Sequence, residues 1–189
     1  MPEGVHQLDA IECSAAERLF EARVEVSSTP PVSENHIAKT EIVRPGAGYV
    51  VWTVPDGILC FIEDYPQLNL ALEEQINALA PSGMSAWAVG DAKNGCFRGS
   101  FNTSFRRWLK TEFILSPLAL VSPNAQLVMV FDEQMRFGLI GAERSIAPQV
   151  LRALGGNDNV RAIMGRYIED FGVGFGEDDR TWARRYLVN

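Results

Sequence analysis

Three cysteines, two histidines and a few acid pairs are the side chains through which this chain could do covalent or acid–base chemistry. Cys13, Cys60 and Cys96 are widely spaced and form no CxxC pair, so neither a zinc site nor a disulfide framework is expected. Cys60 stands in the apolar run Gly57–Ile62 and reads as a buried thiol. His6 lies near the terminus and His36 beside a proline-rich loop. A Ser–His or Cys–His dyad needs an imidazole held by packed surroundings, and neither position offers them. The adjacent acids Glu63-Asp64 and Asp132-Glu133 have the side chains of a hydrolytic pair. Turn chemistry accounts for the second pair, and the first precedes a helix. Gly172–Gly176 lacks the Lys-Ser/Thr of a phosphate loop and follows no strand. Glu177-Asp178-Asp179 comes next, where carboxylates would repel a phosphate. Those three acids suit the positive end of a helix better than a cation site. The residues thus assign no catalytic, cofactor or metal role.

Charge and aromatic residues suggest binding instead. The chain has 189 residues and a net charge of −7. Residues 1–64 hold four basic and eleven acidic side chains, and residues 65–189 hold thirteen of each, so the whole excess lies in the first third. Such a segment repels nucleic-acid phosphates and attracts a basic partner. Arg106, Arg107 and Lys110 beside Trp108 are the densest basic cluster, and their helical spacing reads as a solvated face with Trp108 turned inward. Trp182 and Tyr186, four apart, form a docking ridge or an internal pin on a last helix.

The elements that must position these groups follow from periodicity. A helix is expected from Ser14 to Val24, capped by Ser14 with Glu17 three residues on, and with Ala15, Leu19, Phe20 and Ala22 as its apolar face. Residues 27–35 read as a linker with adjacent prolines. Tyr49–Val54 and Ile58–Ile62 around Pro55-Asp56-Gly57 predict a hairpin. A helix over 68–79 presents Leu68, Leu72, Ile76 and Leu79 on one face. Met84–Val89 and Cys96–Phe101 flank an Asn-Gly turn, and Asn102-Thr103-Ser104 can cap a helix over 105–113. Gln126–Phe131 is apolar throughout, as a central strand would be, and Met135–Gly141 alternates as a strand with one covered face. Ser145 caps a helix that ends at Leu154 before Gly155-Gly156. Asp158 opens another helix, with Val160, Ile163, Met164, Tyr167, Ile168 and Phe171 as its stripe, and a last one runs from Glu177 to Leu187. Short antiparallel connections among helices predict an α+β fold, a mainly antiparallel sheet built from hairpins and packed by about five to six helices. The expected organisation is an acidic helix and linker over 1–40 and one domain over 41–189.

Leu127–Gly141, an apolar strand, an acidic turn and an aromatic-Gly-Leu strand ending in glycine, resembles the late hairpin of small acidic bacterial immunity proteins. Those proteins accompany polymorphic or contact-dependent toxins. The resemblance implies a cytosolic α+β protein that neutralises a cognate toxin by binding it, without catalysis. The expected partner is a protein, a basic toxin domain, with no cofactor, no membrane and no nucleic acid. The acids Glu63, Asp64, Asp132 and Glu133 and the aromatics Trp182 and Tyr186 are the candidate contacts. No basic leader precedes an apolar run at Met1-Pro2-Glu3-Gly4, and no apolar window is long enough to span a membrane. Two alternatives stand beside this reading. One is a small enzyme using carboxylates, Cys60 or Cys96. The other is a phage-derived or structural assembly subunit, a homodimer or larger oligomer.

Overall fold

A computed structural model describes residues 1–28, 41–55, 66–92, 95–113, 117–132 and 137–170. In chain order these form β1 (His6–Gln7), α1 (Ala10–Glu21), β2 (Val24–Ser28), β3 (Glu41–Pro45), β4 (Tyr49–Pro55), α2 (Pro66–Leu79), β5 (Met84–Ala88), β6 (Cys96–Gly99), α3 (Thr103–Glu112), β7 (Leu118–Val121), β8 (Leu127–Asp132), β9 (Phe137–Glu143), α4 (Ala147–Ala153) and α5 (Asn157–Asp170). Seven strands make one sheet in the order β1-β6-β5-β7-β8-β9-β4, with every pairing antiparallel, and β2 and β3 form a separate two-stranded ribbon. The fold is α+β.

Side chains alternate across a strand, so each strand serves two cores. Met84 and Ala86 of β5, Leu118 and Leu120 of β7 and Leu127 and Met129 of β8 point to one face. There they meet Leu72 and Ile76 of α2, Phe105 and Leu109 of α3, Val150 of α4 and Ile163 of α5. Trp87, Ala119, Val121, Val128 and Val130 point the other way, onto Cys13, Ala16 and Phe20 of α1. Phe20 meets Trp87 edge-on, with ring centroids 5.3 Å apart, a favoured aromatic geometry. Covering both faces explains why β8 is apolar at successive positions.

Several expectations are met and others are corrected. The 84–101 and 127–141 hairpins, the helices near 68–79 and 105–113, and the central place of β8 stand as read. Asn102 is the cap of α3, accepting from the Phe105 amide at 2.8 Å. The first helix starts four residues earlier than expected. Its capping box is Asp9 with Glu12, not Ser14 with Glu17, and its buried face is Cys13, Ala16 and Phe20. Ser145 does not cap α4: the cap position is Ile146, without a side-chain hydrogen bond, and proline in the first turn removes a donor that would need one. Strand β9 is covered on both faces, because Leu139, Ile140 and Ala142 are all buried between β8 and β4. Strands β1, β2, β3 and β7 are additions to the expected set. The expected arm 58–62 and the expected helix 177–187 lie outside the described residues, and β4 pairs with β9.

Candidate functional site

Helix α1 presents a charged outer face on a firmly packed inner one. Asp9 accepts from the amides of Ile11 and Glu12, at 2.9 and 2.8 Å, while Glu12 Oε2 accepts from the Asp9 amide at 3.3 Å. These bonds satisfy donors that a helix start leaves open. With the start fixed at Ala10, Cys13, Ala16 and Phe20 recur at three- and four-residue steps and go down onto the sheet. Asp9, Glu12 and Glu21 are then exposed and Glu17 half-buried, and Ile11 beside them is 79% exposed. Residues 1–28 carry six carboxylates against two arginines. Arg98 of β6 reaches back to Glu12 at 3.7 Å and to Ser85 Oγ at 3.2 Å, tying the helix start to the sheet.

Two thiols lie under this helix. Cys13 Sγ donates to the Ala92 carbonyl at 3.1 Å, and Cys13 and Cys96 belong to the same buried cluster. Burial pushes the Cys96 thiol well above its ordinary value of 9.0, Cys13 adds to the rise, and Arg98 works against it. A cysteine nucleophile acts as its thiolate. Cys96 is instead a protonated core thiol at neutral pH, unlike an activated nucleophile. Cys60 lies outside the described residues.

The expected basic face on α3 is corrected. Arg106 is 3% exposed. Its Nη1 donates to Asn69 Oδ1 at 2.9 Å and its Nη2 to Glu73 Oε2 at 2.8 Å, both on α2. Its guanidinium also sits 4.9 Å from the Phe101 ring centroid, within cation–π range. Asn77 of α2 completes the clamp by accepting from the Phe101 amide at 2.8 Å and donating to its carbonyl at 3.1 Å. Arg107 stays exposed and Lys110 half-buried. One of the three basic residues, Arg106, therefore joins two helices and does not share a phosphate-tracking surface. Trp108 is turned toward the core as expected, edge-on to Phe97 at 4.8 Å.

No family model, curated protein sequence or solved structure matches the chain. Among the described residues, no group of three or more His, Cys, Asp or Glu is placed to hold a metal ion, and no helix is long and apolar enough to cross a membrane.

Of the contacts expected from sequence, Glu63, Asp64, Glu133, Trp182 and Tyr186 lie outside the described residues. Asp132 is placed by its backbone, as the last residue of β8 opposite Phe137 of β9. The structure adds Glu12, Glu17 and Glu21. Their signal was present in the acidic first third, but a helix start placed at Ser14 assigns the wrong residues to the outer face.

Proposed function

We propose that the protein is a non-enzymatic binding protein that neutralises a basic toxin domain by occluding it, in the manner of bacterial immunity proteins. The outer face of α1 carries this reading. Asp9, Glu12 and Glu21, with Ile11 exposed among them, stand on a helix whose other face is fixed to the sheet. A negative face on a preorganised support steers a positive partner and limits the ordering needed on contact. The exposed Ile11 offers an apolar anchor within the charged rim. The buried Cys96 thiol favours this reading over a cysteine enzyme.

Tagged full-length protein, exposed to a lysate of the cells that encode it and washed at low and high salt, tests the proposal. The expected result is one stoichiometric partner that carries a toxin domain, is released by salt and is inhibited when bound. Absence of a partner at both salts overturns the proposal, as does a partner whose activity is unchanged by binding.

A further inference from the structure

We draw no further inference here: the strongest candidate, the outer edge of the seven-stranded sheet along β4, where an uncharged run exposes Val50, supports none because nothing in the structure shows what covers it.

Discussion

Arg106 Nη2 on α3 lies 2.8 Å from Glu73 Oε2 on α2, and the arginine side chain is almost wholly buried while Glu73 keeps 24% of its exposure. The pair joins helices that share one face of the sheet. Replacing Arg106 with Ala removes the ion pair, the bond to Asn69 and the contact with Phe101 together. Because Glu73 can be partly rehydrated, the expected loss is about 2–4 kcal/mol, toward the lower end for a broken buried pair. Glu73→Gln keeps the shape and an acceptor, and should cost about 1–2 kcal/mol. Urea unfolding of both variants measures the difference, and equal losses would contradict the asymmetry in burial.

Gly141 of β9 lies under Pro45 at the end of β3. A Cβ built on Gly141 would stand 2.5 Å from both Cβ and Cγ of Pro45. The ribbon reaches the sheet there only because the glycine has no side chain. Gly141→Ala should therefore destabilise by about 1–3 kcal/mol through overpacking. Pro45→Gly removes both clashing atoms, so the double variant should lose less than the two single losses added together. A double-mutant cycle by thermal unfolding checks this, and strict additivity would mean that the two residues do not meet.

These two relationships show what the sequence made legible and what it did not. The long apolar run Gln126–Phe131 and the Asn-Gly pair in the sequence between β5 and β6 announce their elements because both signals are local. Strand β7 has four residues, Leu118–Val121, too few for a period to show. Near the N-terminus, Asp9/Glu12 and Ser14/Glu17 both fit a capping box, and only docking on the sheet selects the first. Arg106 looks like a surface residue in any window, because its partners lie 33 and 37 residues away on α2. The gathering of Cys13 and Cys96 into one buried cluster is equally non-local. The sequence-derived contacts also leaned on hairpin tips and a terminal helix, whereas the described charged surface lies on α1.

Alkaline pH should weaken the fold in two stages. Burial raises the Cys96 thiol above its ordinary 9.0. Burial also raises the Tyr49 phenol above its ordinary 10.0, with Arg23 lowering it and Glu143 raising it. Tyr49 donates to the Ala125 carbonyl, so its protonated form is the one the fold uses. In both cases the folded value exceeds the unfolded one. Each contribution is complete below the ordinary value and is lost above it, as the unfolded chain ionises while the folded one does not. The slope reaches about 1.4 kcal/mol per pH unit for each group. Urea midpoints between pH 7 and 10.5 should fall from about pH 9 and more steeply above 10. Cys96→Ala should flatten the first stage and leave the second, and an unchanged profile in that variant would remove Cys96 as its source.

The acidic face gives the sharpest test of the proposed function, because its charge can be reversed without entering the core. Glu21 is exposed in the last turn of α1 and Glu17 is half-buried one turn earlier, and neither belongs to the Asp9 capping box. Lysine at the C-terminal end of a helix also suits its dipole, so Glu21→Lys should change stability by no more than about 0.5 kcal/mol. Two reversals change the face by four charge units, which acts mainly on the rate of encounter. With the captured partner, Glu17→Lys/Glu21→Lys should slow association about tenfold or more at low salt and leave dissociation within about threefold. The gap from the unsubstituted protein should narrow as salt screens the field. Stopped-flow association at two ionic strengths reads both terms. An unchanged association rate in the folded double variant would place the binding surface elsewhere than on α1.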